Sequence, residues 1–298
     1  MKCLMALFLA FVSTTLNAQI ENLPLCLNKV DVKKDGLKGP VKSMRITIHN
    51  FDSISGEMHV TESVCEYNIQ GNIIRREDFF NKNNDGEYEI AQYDKTGMKR
   101  LRCTLYSKKD NHIISAQNYK YNKEGDLAQY SHCGPVDTTI INYEYTYLKN
   151  GEIDEYVAYL KSDSSIWTKT DLVYANDKLC NIICYGPTMP IWFAAVDGVD
   201  DIVKEEISYG NHGNIRKHTA YKYDSNSKVI EEVDYDEDNT EITTYKYNEY
   251  GDCISSCQRG KSKITNYDGY DSFGNWTQKQ LSYECHLLTE VRKIEYYE

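Results

Sequence analysis

The sequence predicts an all-β fold, an antiparallel meander of Tyr-rich β-hairpin repeats forming an elongated, twisted, largely single-layer sheet. Three observations carry this. A short phrase recurs: a Tyr, usually an Asp or Asn, two variable residues, a Gly, a polar residue and an apolar one. Segments of alternating polar and apolar residues run between the phrases. The 298 residues include 26 Tyr and only 5 Pro, rich in strand formers and poor in breakers.

The phrase reads YNIQGNI from Tyr67, YDKTGMK from Tyr93, YNKEGDL from Tyr121, YLKNGEI from Tyr147, YGNHGNI from Tyr209, YNEYGDC from Tyr247 and YDSFGNW from Tyr270. YDSNSKV from Tyr223 has Ser227 in place of the Gly. Asp or Asn at the first corner and Gly three residues on is type I turn chemistry. A Gly at positive φ closes a three-residue hairpin loop with a G1 bulge. Each Tyr then faces the residue two past the Gly. The expected pairs are Tyr67–Ile73, Tyr121–Leu127, Tyr147–Ile153, Tyr209–Ile215, Tyr223–Val229, Tyr247–Cys253 and Tyr270–Trp276, with Asp94 opposite Met98 and Tyr93 on Lys99. Such aromatic–aliphatic pairs contribute roughly 0.2–1 kcal/mol each.

Along the chain, Lys2, the apolar run Cys3 to Val12 and Leu16-Asn17-Ala18 have the chemistry of a signal peptide over residues 1–18. That run is too short to span a bilayer, and no later stretch is longer. Cys26 follows Leu-Pro-Leu and sits too far on for a lipid anchor. Residues 19–40 read as a lead-in and 41–298 as the repeat domain. Segments such as Thr243 to Tyr247 and Tyr143 to Tyr147 alternate at period two, as strands do. Tyr67, Tyr93, Tyr121, Tyr147 and Tyr174 follow at intervals of 26, 28, 26 and 27 residues, two strands and two turns each. From Tyr209 to Tyr223 the interval is 14, one strand and one turn, so the phrase switches to the opposite edge there. From Tyr174 to Tyr209 it is 35, which reads as an insert loop at about 186–200. This is the most apolar loop of the mature chain.

The net charge of −11 argues against a nucleic-acid partner, because phosphate binding needs clustered Lys and Arg. Nine cysteines follow Cys3. On a strand, Cys180/Cys184 and Cys253/Cys257 lie about 13 Å apart, too far to close on themselves. Neither pair is a CxxC, so buried free thiols are the expectation and no metal or cofactor is expected. Asn81 to Gly86 imitates a calcium loop, but its twelfth position is Gln92 rather than a bidentate Glu. Asp234 to Asn239 has three alternating acids and Tyr245 at the twelfth. Both read as solvated turns. His212, His218 and His286 are scattered, and no GxSxG, HExxH or P-loop is present. Of Glu205-Glu206 and Glu231-Glu232, one acid of each faces solvent on a strand.

The Tyr-Asp-x-x-Gly phrases, best seen at Tyr93-Asp94…Gly97 and Tyr270-Asp271…Gly274, resemble YD repeats, the units of RHS-type proteins. With Gly274-Asn275-Trp276 the chain also resembles small exported YD-repeat proteins of Bacteroidetes. The resemblance runs from about Val41 to the C-terminus, with lapses at Tyr174 and Tyr223. It implies a Tyr-rich hairpin array without enzyme activity, since toxic chemistry in large RHS proteins sits in a separate C-terminal domain, and it leaves the chain short for their closed shell. The expectation is a non-catalytic scaffold or interaction protein, exported to the periplasm, the outer-membrane surface or the medium, with no transmembrane span. The alternative is a glycan- or envelope-binding module using Trp192, Phe193 and Tyr185, whose partner is a glycan or another envelope protein. A hydrolase ranks last.

Overall fold

The computed structural model describes residues 30–80, 86–176, 178–186, 189–197, 202–210, 213–235, 240–283 and 286–298. The expected signal peptide, Cys26, the calcium-like loop at 81–85, the turn at 236–239, parts of the expected insert at 187–188 and 198–200, His212 and Cys285 lie outside them. The described residues form a short helix, α1 (Asp31–Lys34), and twenty strands. These are β1 (Val41–Asp52), β2 (Glu57–Tyr67), β3 (Ile73–Phe80), β4 (Glu87–Tyr93), β5 (Arg100–Ser107), β6 (Ile113–Tyr121), β7 (Leu127–Cys133), β8 (Thr138–Tyr147), β9 (Ile153–Leu160) and β10 (Ile166–Ala175). They continue as β11 (Lys178–Tyr185), β12 (Pro190–Asp197), β13 (Ile202–Tyr209), β14 (Ile215–Tyr223), β15 (Val229–Tyr235), β16 (Thr240–Tyr247), β17 (Cys253–Gln258), β18 (Lys261–Tyr270), β19 (Trp276–Tyr283) and β20 (His286–Tyr296).

Each strand pairs antiparallel with the next, and β1 pairs with both β2 and β20. The meander is as expected, but the open single-layer sheet is not: the strands close into a 20-stranded barrel. The seam aligns Met44 with Ile294 and Ile46 with Arg292, residues nearly a whole chain apart. Closure has a plain physical reason. An open meander leaves its first and last strands with rows of unpaired N–H and C=O groups, and joining them removes both edges.

The phrases make the turns that their chemistry dictates. Gly97, Gly125, Gly251 and Gly274 have φ of 76°, 103°, 83° and 77°, and all lie at hairpin tips. Ser227 takes the same left-handed conformation at φ 60°. The expected facing pairs at Tyr67, Tyr121, Tyr147, Tyr209, Tyr223, Tyr247 and Tyr270 all form. The hairpin at Tyr93 differs. Asp94 N–H bonds Lys99 O at 2.9 Å, so the loop is one residue longer and Tyr93 faces Arg100 rather than Lys99. The slip replaces a poor partner with a guanidinium over the ring, 5.7 Å from its centroid, an attractive arrangement.

In a closed meander, alternate hairpins turn at opposite ends. Turns β2–β3, β4–β5, β6–β7, β8–β9, β10–β11, β14–β15, β16–β17 and β18–β19 share one end, here called the phrase end. The Tyr209 turn, between β13 and β14, lies at the far end, matching the switch that the 14-residue interval implied. The 35-residue interval is not a loop insert. It holds three strands, and its apolar centre is β12, paired with β11 and β13.

At the phrase end the ladders of the far-end hairpins stop short. The β5–β6 ladder ends at Arg102↔Asn118, leaving Arg100 and Leu101 without cross-strand partners on β6. The β17–β18 ladder ends at Ser255↔Ile264, leaving Cys253 and Ile254 likewise. A buried carbonyl left without a partner is costly. In each case a tyrosine hydroxyl donates to the carbonyl of the first residue of the odd strand: Tyr93 to Ile73 at 2.9 Å, Tyr121 to Arg100 at 2.9 Å, Tyr145 to Leu127 at 2.8 Å and Tyr174 to Ile153 at 3.0 Å. Tyr247 to Val229 and Tyr267 to Cys253 continue the pattern, and Tyr223 donates to Val203, the second residue of β13. Tyr297 to Tyr67 O carries it across the seam. These bonds form a ring of clasps.

Two stability predictions result. Tyr121→Phe keeps the ring and removes the clasp; it should cost about 1–2 kcal/mol in urea unfolding. Tyr235→Phe, at an exposed ring, should stay within about 0.5 kcal/mol of the parent. Equal midpoints for the two variants would discount the clasps. Ser227→Gly should raise stability by about 1 kcal/mol, because only glycine takes positive φ without steric cost; a lowered midpoint would contradict the turn assignment.

Candidate functional site

The barrel has two faces, and the lead-in segment identifies the inner one. Val30 precedes α1, with Asp31 in its first turn and Lys33 and Lys34 in its last, as the helix dipole favours. Asp31 is buried. Its carboxylate accepts from Ile73 N–H at 2.8 Å and from the Arg100 guanidinium at 3.1 Å. Asp35 accepts from Tyr67 Oη at 2.6 Å. Val32 and Leu37 pack with Val41, Met44, Cys65, Tyr67 and Ile73. Seven residues after Asp31, Lys38 Nζ donates to the carbonyls of Tyr250 and Gly274, each at 3.1 Å. From β5 to the β16–β17 hairpin is eight strand steps, about 38 Å along the wall. Seven residues, four of them in or beside a helix, reach less than about 25 Å. So short a segment touches both places only from the concave side. Residues 30–40 therefore sit in the mouth at the phrase end, and the face carrying Met44, Cys65 and Tyr67 is the lumen.

Strand alternation and cross-strand register extend that face round the ring. It carries the phrase tyrosines other than Tyr209, which alternates outward with Ile207, together with Arg76, Glu89, Tyr119, Tyr156, Thr170, Ala194, Glu206, Glu232, Lys279, Glu290 and Arg292. Trp276 is buried there, with the Arg292 guanidinium 3.5 Å and the Lys279 ammonium 4.5 Å from its ring centroid. Lys279 also pairs with Glu290 at 2.7 Å. The outer face carries ion pairs Arg45–Glu62 at 3.1 Å and Lys169–Glu155 at 2.6 Å, and a hydrogen bond between His218 and Glu205 at 2.6 Å.

Among the described residues, two concavities in the wall stand out. A lumenal groove of about 560 Å³ at the far end has Glu232, Asp234 and Glu241 on one bank and Arg259, Lys261 and Lys263 on the other. Its acids are all engaged: Tyr245 donates to Glu232 at 2.6 Å, Thr219 to Asp234 at 2.5 Å and Arg259 to Glu241 at 2.7 Å. The second, about 550 Å³, is a cleft at the phrase end where β17 and β18 part. Lys246, Ser255 and Asn266 line it from the outer face, and Tyr250, Tyr267 and Tyr270 also line it.

The sequence-derived candidates do not converge. Trp192 faces the lumen between Cys184 and Ser208, while Phe193 faces outward between Ile183 and Ile207. Tyr185 ends β11 on the outer face, opposite Lys169. The Glu pair does alternate: Glu205 is outside with His218, and Glu206 is inside, its pKa raised by burial. The seven described cysteines are free. Burial pushes the thiols of Cys65, Cys103 and Cys184 up, which suppresses the thiolate that nucleophilic chemistry needs. His218 pairs with Glu205 and stacks on Tyr235 at 4.4 Å. Among the described residues no group of three His, Cys, Asp or Glu could hold a metal ion, and no helix is long and apolar enough to cross a membrane. Sequence reasoning passed over the cleft. Its signal was present in Tyr250, directly before the Gly of YNEYGDC, and in Tyr270, which opens YDSFGNW; Phe273 of that phrase packs on Tyr296 instead, 4.3 Å away.

No protein-family model matches the chain, and no curated protein matches it. Among solved structures it is similar to a porin-like protein from Bacteroides uniformis ATCC 8492, at 12% identity and TM-score 0.38, over 87% of this chain and 98% of that one. A porin-like protein from Bacteroides vulgatus ATCC 8482 gives 14% identity and TM-score 0.26 over 84% and 97%. The TcdB2-TccC3-Cdc42 complex gives 9% and 0.36 over 80% of this chain, which spans only 16% of that chain. Likenesses this distant carry no functional argument.

The ring of hydroxyls makes the mouth sensitive to alkali. Burial first, then the hydrogen bond to Asp126, pushes Tyr147 up to about 12. Burial likewise takes Tyr93 up to about 12, with the Arg100 guanidinium opposing, and Tyr270 and Tyr296 rise to about 12. A tyrosine with a raised folded pKa holds its proton more tightly when folded. Its stabilisation is therefore complete below the ordinary value of 10.0 and is lost as pH rises through about 12. Denaturant stability should be flat between pH 7 and 9 and fall steeply from 10 to 12, and part of the tyrosinate absorbance at 295 nm should appear only together with unfolding. Ionisation of all 26 tyrosines in a barrel that stays folded would contradict the clasps.

Proposed function

We propose that the protein is a non-catalytic, exported barrel of the cell envelope, built from YD-like repeats, that works in water as an interaction scaffold. The observation that carries this reading is the charge on the outer face. A barrel in a bilayer turns outward an apolar band about 25 Å tall. Here the outward positions of β1, β2, β9, β10, β13 and β14 hold Arg45, Glu62, Glu155, Lys169, Asp171, Glu205 and His218, several of them in ion pairs. The protonated thiols and the engaged acids of the lumenal groove favour scaffold over hydrolase. The export chemistry at residues 1–18 supports the envelope setting.

Fractionation of cells producing the full chain tests this. The protein should appear in the envelope or medium with a processed N-terminus near Gln19, and carbonate or high salt should release it without detergent. An intact Met1, or a requirement for detergent, would overturn the reading.

A further inference from the structure

The β17–β18 cleft combines features found at no other phrase-end tip among the described residues. The β16–β17 tip carries Tyr250, which stacks on Tyr270 at 3.9 Å with the rings 14° from parallel. Tyr270 is itself fixed, accepting from Asn248 Nδ2 at 2.6 Å and donating to Asp252 Oδ2 at 2.9 Å. Tyr267 is tied to Cys253 O at 3.2 Å. Three rings are thus held before any ligand arrives, which lowers the ordering cost of binding. Tyr250 remains 43% exposed. Beside the rings stand a carboxamide, Asn266, and a Lys246/Glu249 pair whose charges balance.

We propose that this cleft is a carbohydrate-binding site for a neutral oligosaccharide, with a pyranose stacked against Tyr250 and its hydroxyls bonded by Asn266 and Glu249. The C–H face of a pyranose is apolar and flat enough to lie on an aromatic ring, while its rim of hydroxyls needs donors and acceptors in the same place. The cleft opens broadly along the wall, which suits an extended chain over a compact metabolite. Balanced charge suits a neutral sugar over an acidic one. The inference deepens the interaction-scaffold reading by giving it a ligand class.

Titration calorimetry on the purified protein with cellohexaose, xylohexaose, mannohexaose and chitohexaose tests it, and since the protein is purified, failure here leaves the fractionation result standing. At least one sugar should bind with a Kd of about 1 mM or tighter. Tyr250→Ala should weaken that sugar about tenfold or more, Asn266→Ala should weaken it as well, and Tyr250→Phe, which keeps the ring, should bind as the parent does. No saturable binding by any of the four sugars, or unchanged affinity in Tyr250→Ala, would overturn the proposal.

Discussion

The barrel depends on how it treats one kind of carbonyl. The far-end hairpins β3–β4, β5–β6, β7–β8, β9–β10, β13–β14, β15–β16 and β17–β18 part before they reach the phrase end, so the start of each of these odd strands has no partner on the strand that follows. Water could satisfy that carbonyl at an exposed edge, but Ile73 and Leu127 are buried. A tyrosine from the next strand supplies the bond from the side-chain level instead of the backbone level. Phe would fill the space and leave the carbonyl bare, and Ser would bond but could not reach. Tyr is the residue with both length and hydroxyl, which gives a physical meaning to Tyr93, Tyr121, Tyr145, Tyr174, Tyr223, Tyr247, Tyr267 and Tyr297.

Closure rests on the same device and adds a staple. The two strands of the seam lie at opposite ends of the chain, with Ser43 and Glu295 252 residues apart, and loop-closure entropy opposes their meeting. Several contacts reinforce it. Tyr297 N–H bonds Pro40 O at 2.8 Å, and its hydroxyl clasps Tyr67 O. Asn275 accepts from Lys38 N–H at 2.8 Å and donates to Lys38 O at 2.9 Å. The lead-in is thus part of the barrel: it bridges the β2–β3, β4–β5 and β18–β19 hairpins that flank the seam.

Local chemistry was legible in the sequence and global closure was not. The Tyr–Gly phrase fixes turn, bulge and facing pair within seven residues, so seven registers could be read directly. Tyr93 escaped because its loop gained one residue to trade Lys99 for Arg100, a preference that depends on where Asp31 stands in the folded mouth. Pairing of β1 with β20 has no local signature at all. The cleft was half legible: the aromatics in YNEYGDC and YDSFGNW are visible, but the parting of β17 from β18 that opens a space beside Tyr250 is a property of the ladder. Trp192 and Phe193 drew notice as neighbours in an apolar stretch, and strand alternation separates neighbours onto opposite faces.

The one described far-end hairpin near the middle of the chain without a tyrosine clasp shows what the clasps do. In β11–β12 the ladder ends at Asn181↔Ala195, leaving Lys178 and Leu179 to the phrase end as elsewhere, and β12 ends in Val196-Asp197 rather than in a Tyr. Its lumenal side is apolar instead: Ala194 is wholly buried, and Val196 and Leu172 nearly so. Hydrophobic contact is non-directional and needs no donor, so it can hold two strands together where no hydroxyl reaches. The apolar composition that made this segment look like a loop insert is the packing that a strand needs when it lacks a clasp. The lapse in the phrase and the rise in hydrophobicity are therefore one event seen twice: the repeat can lose a tyrosine wherever buried aliphatic surface takes over its task.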